Sequence, residues 1–381
     1  MIGVGAGFEL LVGGPEFWSR ARPEIEAAAH RVLVQTLSFE SDRAGRGLTA
    51  ALLRSRAGDR RLVVDCFNDC FHSDRFLLAP RNLMDRVLRR EAGGTRRMAA
   101  RLVRGGVVVR SVNPLGFLLH RIADRNHKKV LVIDGQAAYL GGINYSEHNF
   151  AWHDVMLRID SPGAVAFLAG DFDATWQGRA GPLEYRESGL EIFNLPGPGN
   201  ERAVQPVLQR LAAARHSVFV ESPYISVPFT DALGEARARG ARVTILTPEV
   251  NNRRFQLPYI TAQARRHGFE LRVRRGGMSH LKAMVLDGRE LVLGSSNFDW
   301  PSSDRLPEYI AFASEPGLLA AFRERVLVPD LDESDVLLPA GPPCDGPPTM
   351  AEREVGWYRR LARWSCGGSY GHYRRNGDSG G

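Results

Sequence analysis

One pattern occurs twice in this chain and restricts its fold more than any other feature. It reads H-x-K-x4-D, then six residues, then G-[GS]-x-N. The first copy runs His127-Lys128-Lys129-Val130-Leu131-Val132-Ile133-Asp134 and on to Gly141-Gly142-Ile143-Asn144. The second runs His280-Leu281-Lys282-Ala283-Met284-Val285-Leu286-Asp287 and on to Gly294-Ser295-Ser296-Asn297. Lysine use sharpens the point. The chain has 50 Lys plus Arg, yet only three are lysines: Lys128, Lys129 and Lys282. Lysine is a compact point charge and arginine a planar fork, so two motif lysines in an arginine-rich chain mark places that need the compact ammonium.

The surroundings of the motifs repeat as well. Ala27 to Gln35 is echoed by Ala212 to Glu221, the helix predicted at Gly47 to Ser55 by one at Asp231 to Arg239, and the strand Arg61 to Asp65 by Arg242 to Leu246. Val107 to Arg110 is echoed by Leu271 to Arg274, and Val155 to Ile159 by Tyr309 to Phe312. Short β-rich runs alternate with helical spacing, which predicts an α/β protein. The repeat is far longer than that of a solenoid, so the chain reads as a duplicated domain. The expected organisation is residues 1–185 with the first motif, 186–340 with the second, and 341–381 as a terminal extension. The Pro/Gly stretch Gly178 to Gly199 is read as the junction. Leu338 to Met350 ends the second half.

The net charge of +7 and a pI of 9.5 suit an anionic partner: nucleic acid, acidic lipid headgroups or a phosphate-bearing substrate. Four cysteines, Cys66, Cys70, Cys344 and Cys366, are too few for a disulfide scaffold. Cys66, Cys70 and His72 match no common zinc spacing, so neither metal nor cofactor is expected. Met1 to Leu11 has no signal-peptide character, and no apolar run reaches the roughly 20 residues of a membrane span. A cytoplasmic protein is expected, soluble or peripheral to the inner face of the membrane. Ala351 to Cys366 reads as a helix with Trp357, Leu361 and Trp364 on one side, ringed by Arg353, Arg359, Arg360 and Arg363. That pattern fits either an interfacial membrane helix or one docked on the protein. Gly367 to Gly381, rich in Gly and Ser, is expected to be disordered.

Side chains two apart on a strand share a face, so His127 and Lys129 point together, as do His280 and Lys282. Asn144 and Asn297 stand at neighbouring strand ends. Asp134 and Asp287, beyond four apolar residues, read as structural carboxylates. Two such halves face to face offer two imidazoles, two ammoniums and two amides, a set suited to a phosphoryl group. The lysines and amides would hold the non-bridging oxygens, one histidine would attack phosphorus, and the other would shuttle a proton. A nucleophilic imidazole needs its second nitrogen bonded to a carboxylate, and Asp154 and Glu308 are the candidates.

These residues resemble the two-motif branch of the phospholipase D superfamily, and within it the bacterial cardiolipin synthases and related transphosphatidylases. The closer likeness lies in Asn126 to Gly135, Gly141-Gly142-Ile143-Asn144-Tyr145-Ser146, Ser222-Pro223-Tyr224-Ile225, and Gly294 to Trp300 with Glu308. The resemblance implies two αβαβα sandwich halves about a pseudo-two-fold axis, with one active site between them. It also implies that His127 is the nucleophile and His280 the general acid/base, acting on a phospholipid substrate at an anionic membrane. A metal-independent phosphodiesterase acting on nucleic acid would use the same chemistry and stays open. A non-catalytic scaffold is disfavoured because both motifs are complete.

Overall fold

The computed structural model describes residues 7–365; Cys366 and the Gly/Ser tail lie outside the described residues. In the first half the strands are β1 (Phe8–Val12), β2 (Arg31–Thr36), β3 (Asp59–Asp65), β4 (Phe71–His72), β5 (Arg75–Phe76), β6 (Val108–Val112), β7 (Val130–Ile133), β8 (Ala137–Gly141) and β9 (Val155–Ile159). Seven of them form a sheet in the order β1-β9-β8-β7-β2-β3-β6, while β4 and β5 make a separate small hairpin. The second half contributes β10 (Glu184–Glu187), β11 (Leu190–Pro196), β12 (Ser217–Glu221), β13 (Arg242–Pro248), β14 (Glu270–Arg274), β15 (Ala283–Leu286), β16 (Glu290–Gly294), β17 (Pro307–Ala313) and β18 (Ser334–Leu338). Their order is β10-β11-β17-β16-β15-β12-β13-β14-β18. Remove the two edge strands and the second sheet repeats the first position for position. The pairing repeats too: β2-β3-β6 and β12-β13-β14 are parallel, and the motif strands pair antiparallel with β2 and β12.

The stretch 178–199 read as the junction is structured. It contains the hairpin β10–β11, which adds to the second sheet, and a boundary at 185 falls inside β10. The apolar residues of Leu190-Glu-Ile-Phe-Asn-Leu were masked by Pro and Gly on both flanks, and the turn at Gly189 takes φ 82°. Between β13 and β14 runs the helix Gln256–His267.

Each motif strand ends in a tight turn of identical build. Asp134 and Gly135 have φ 51° and 69°, and Asp287 and Gly288 have φ 50° and 65°. Left-handed values at two successive residues define the hairpin turn that Asp-Gly favours. Three cores result. One fills each outer face; the third is shared, with Leu33, Val132 and Leu157 of the first sheet in the same cluster as Leu281, Leu293 and Tyr309 of the second. The terminal helix Met350–Ser365 docks on the second half. Arg359 and Arg363 pair with Asp304, at 2.8 and 3.0 Å, and Glu352 pairs with Arg266 at 2.9 Å. Val355 is buried, while Trp357, Tyr358 and Leu361 remain exposed. No helix among the described residues is long and apolar enough to cross a membrane.

Candidate active site

The motif histidines and lysines lie in extended segments just ahead of β7 and β15, not inside those strands. The reason is a crossing of the two halves. His127 N donates to the Pro307 carbonyl at 3.1 Å, and His280 N donates to the His153 carbonyl at 2.7 Å. Each lead-in therefore leaves its own sheet to bond the start of the last motif-flanking strand of the other half. Pro307 and His153 immediately precede Glu308 and Asp154, so each carboxylate is delivered to the opposite histidine. His127 Nδ1 lies 2.6 Å from Glu308 Oε1, and His280 Nδ1 lies 2.8 Å from Asp154 Oδ2. With Nδ1 carrying the proton, Nε2 of each ring is left as a free lone pair.

The tail of each motif sets up its carboxylate, and the one-residue difference between the copies has a steric cause. In the second copy Ser295 Oγ donates to Glu308 Oε2 at 2.6 Å and accepts from Tyr309 N at 3.0 Å. Ser302 Oγ adds a 3.1 Å bond to Glu308 Oε1. Gly142 stands where Ser295 would. A Cβ there would meet Asp154 Oδ2 at 2.3 Å, so the shorter aspartate packs directly on the glycine and leaves no room for a side chain.

The lysines are almost completely buried, each at 1% exposure. Lys129 Nζ donates to the His127 carbonyl at 2.7 Å. Lys282 Nζ donates to the His280 carbonyl and sits 3.9 Å from Asp154. Burial pushes Lys129 down to about 7, against the pull of Glu308 and with help from Lys282, and Lys282 down to about 8, against Asp154 and Glu308. Burial also holds His127 well below the usual imidazole range, reinforced by Lys129, Lys282 and His280. His280 falls to about 4 through burial and Lys282, despite its bond to Asp154. Glu308 is raised by burial to about 8 even though Lys129 and the serines oppose it. Asp154 resists burial because Lys282 and His280 keep it below the ordinary carboxylate range. Both rings are thus neutral at rest, and each half's charges act on the other half's groups.

The asparagines divide. Asn144 Oδ1 accepts from Thr36 Oγ1, Leu37 N and Ser38 N at 3.1–3.3 Å, and Nδ2 reaches Asn149 Oδ1 at 3.1 Å, so this residue braces the end of β2. Asn297 is buried with Oδ1 unpartnered. The motif aspartates are remote from the site. Asp134 accepts from the backbone N–H groups of Ala29, His30 and Arg31, each at 2.8 Å, and Asp287 does the same for Arg215, His216 and Ser217 at 2.7–3.1 Å. Both cap the start of the neighbouring strand. The third lysine, Lys128, ties the halves together: its Nζ is 2.6 Å from Asp171, which also takes Asn194 Nδ2 at 2.6 Å and the Tyr309 hydroxyl.

Sequence reasoning passed over Trp152 and Arg253, and gave Tyr224 no place in the site. Trp152 lies 5.0 Å from the His280 ring and Tyr224 lies 6.1 Å from it. Arg253 sits 4.2 Å over the Tyr224 ring, pairs with Asp299 at 3.4 Å, and contributes to the depression of His127 and Lys282. In a chain crowded with arginine nothing local marks it. Two acidic groups could approach an ion, His153–Glu221–Asp330 and Glu40–Asp42–Glu91. In the first, Asp330 is already engaged by Arg274 at 2.8 Å and by His153 Nε2 at 2.7 Å.

A duplicated α/β unit with crossed His–carboxylate pairs and buried lysines between its halves defines an enzyme of the phospholipase D type. The chain belongs to the family described as cardiolipin synthase, PLD-like domain, whose model matches residues 22–176 and 207–326. It is 23% identical over 367 residues to "Probable cardiolipin synthase YwiE" of Bacillus subtilis, covering 87% of this chain and 67% of that one. It is 30% identical over 224 residues to "Cardiolipin synthase A" of Edwardsiella ictaluri, covering 50% of this chain and 45% of that one. A crystal structure of phosphatidylserine synthase from Haemophilus influenzae shares the fold, with a TM-score of 0.66 at 15% identity over 94% of both chains.

Proposed function

We propose that the protein is a phospholipid phosphatidyltransferase that cleaves a phosphodiester and passes the phosphatidyl group to an alcohol. His127 Nε2 attacks phosphorus in line and forms a P–N bond as the P–O bond to the headgroup breaks. The negative charge of the bound phosphodiester favours protonation of His280 at Nε2, and the departing alkoxide takes that proton, leaving the ring neutral with Nδ1–H on Asp154. An acceptor alcohol then gives its proton to His280 and attacks phosphorus, and the P–N bond breaks to free His127. Phosphatidylglycerol is the proposed donor, and phosphatidylglycerol, glycerol or water the acceptor. Lys129 and Lys282, with the Asn297 amide and the one N–H of Asn144 Nδ2 not given to Asn149, stabilise the oxygens of five-coordinate phosphorus. Asp154 and Glu308 orient the rings, Ser295 orients Glu308, and Asp134 and Asp287 hold the motif hairpins. The observation that carries this reading is the crossed pair His127–Glu308 and His280–Asp154, which leaves two free Nε2 atoms beside two buried ammoniums.

Work at the inner face of an anionic membrane is part of the proposal. The net charge of +7 and the exposed Phe117, Trp357, Tyr358 and Leu361 support it. The test is incubation of the protein with vesicles of phosphatidylglycerol and phosphatidylethanolamine in chelator, with lipid products read by mass spectrometry. Cardiolipin, phosphatidic acid or exchanged headgroups are expected. Folded protein that yields none of these, yet cleaves DNA, establishes the nucleic-acid phosphodiesterase instead.

A further inference from the structure

A cavity of about 420 Å³ opens between the terminal helix and the second half. Its walls include Ile122, Phe255, Trp300, Val355, Tyr358 and Leu361, all apolar or aromatic. The volume falls in the range of roughly 300–1,000 Å³ typical of small-molecule sites. The helix that forms one wall is fixed from outside the cavity, by Arg359 and Arg363 on Asp304 and by Glu352 on Arg266. Phe255 and Tyr358 pack side by side in its wall, ring centroids 6.4 Å apart.

What gives this cavity an occupant is Arg253. The same residue lines the cavity and sits 4.2 Å over the ring of Tyr224, which itself lies 6.1 Å from the His280 ring. Its guanidinium is only partly neutralised, by Asp299 at 3.4 Å, and its side chain is 41% exposed. A phosphoryl group held by the two histidines therefore has a cation on its flank, and behind that cation lies an apolar hollow. A molecule that fits both has an anionic phosphodiester joined closely to hydrocarbon.

Building on the proposed phosphatidyltransferase reading, we infer that this cavity binds an acyl chain of the donor phospholipid, with Arg253 placed against the phosphate where chain-bearing glycerol leaves the reacting centre. The diacylglycerol part stays on phosphorus through both steps, while the alcohols exchange. The cavity thus holds the substrate through the covalent stage, and chain length governs cleavage and transfer alike.

The test uses phosphatidylglycerols that remain monomeric, so no membrane surface intervenes. The dibutanoyl and diheptanoyl forms differ by three methylenes per chain, and each buried methylene is worth about fourfold. Full-length protein is expected to favour the diheptanoyl form by roughly 10–60-fold in kcat/KM. Leu361 is 42% exposed, so changes there leave folding intact. Leu361→Trp fills the cavity and Leu361→Asp places a charge in it. Either should reduce the diheptanoyl to dibutanoyl ratio about tenfold. No chain-length preference in the unmodified protein overturns the inference. So does a ratio within about twofold of the unmodified value in both variants. If neither lipid is cleaved while bis(p-nitrophenyl) phosphate is, the phosphatidyltransferase reading itself has failed.

Discussion

Glu308 holds His127 from the opposite half of the molecule, Oε1 to Nδ1 at 2.6 Å, and reaches that position on a strand 181 residues further along the chain. Neither half alone supplies both a motif histidine and the carboxylate bonded to it. Glu308→Gln keeps an acceptor for Nδ1–H but cannot become the carboxylate that stabilises the ring as it turns cationic on attack. Turnover is expected to fall about 10²–10⁴-fold with the fold intact. A loss below about tenfold, with unchanged circular dichroism, would show that His127 does not depend on Glu308.

Much of this arrangement can be read from the sequence, and the part that cannot has a definite cause. Exact repetition of H-x-K-x4-D announces both the duplication and the groups that meet, and Asp-Gly after an apolar run announces the hairpins. Asp154 and Glu308 are recognisable as carboxylates near the starts of strands. Their exchange between halves is not, because it depends on where His127 N and His280 N leave their sheets for Pro307 and His153. Arg253 is invisible for another reason: its role comes from its place over Tyr224, and its composition is that of its surroundings. The hairpin β10–β11 was hidden by flanking turn residues, which say where a chain bends but not what lies between the bends.

Gly142 is predicted to be intolerant of even a small side chain. The 2.3 Å approach of a Cβ to Asp154 Oδ2 leaves the carboxylate no choice but to move off His280. Gly142→Ala should lower kcat far more than it lowers the melting temperature. Ser295→Gly, its counterpart, removes a hydrogen bond without a clash and should cost less. Steady-state kinetics and thermal melts on the two variants check the ordering; equal losses would contradict it.

Lys129→Arg should nearly abolish activity although it conserves charge. The ammonium occupies a site with 1% exposure and bonds back to the His127 carbonyl. A guanidinium is larger and planar and cannot present a point charge there. Lys128→Arg provides the contrast: its partner Asp171 can accept a fork, so kcat should hold better than in Lys129→Arg. A Lys129→Arg enzyme with kcat within about tenfold of the unmodified protein would refute this.

Asp134 and Asp287 should behave as structural residues. Removing the carboxylate of Asp134 strands three backbone N–H groups at the start of β2. Asp134→Ala is expected to lower the melting temperature by roughly 3–10 °C. KM for the remaining folded enzyme should stay unchanged. If activity vanished while the melting curve did not move, the aspartate would belong to the reacting groups.

Binding of an oxyanion should draw protons into the site. In the free protein burial depresses Lys129 to about 7, Lys282 to about 8 and His280 to about 4, and raises Glu308 to about 8. A tungstate ion between the histidines adds negative charge, which favours the protonated form of every one of these groups and raises each pKa. The sign is therefore the same for all four. At pH 8 the free lysines are partly deprotonated, so binding takes up protons, and affinity for tungstate weakens as pH rises through the interval from 7 to 8. Isothermal titration calorimetry in buffers of different ionisation enthalpy counts those protons directly. Proton release, or an affinity that climbs across that interval, would mean that the buried lysines do not carry the charge assigned to them.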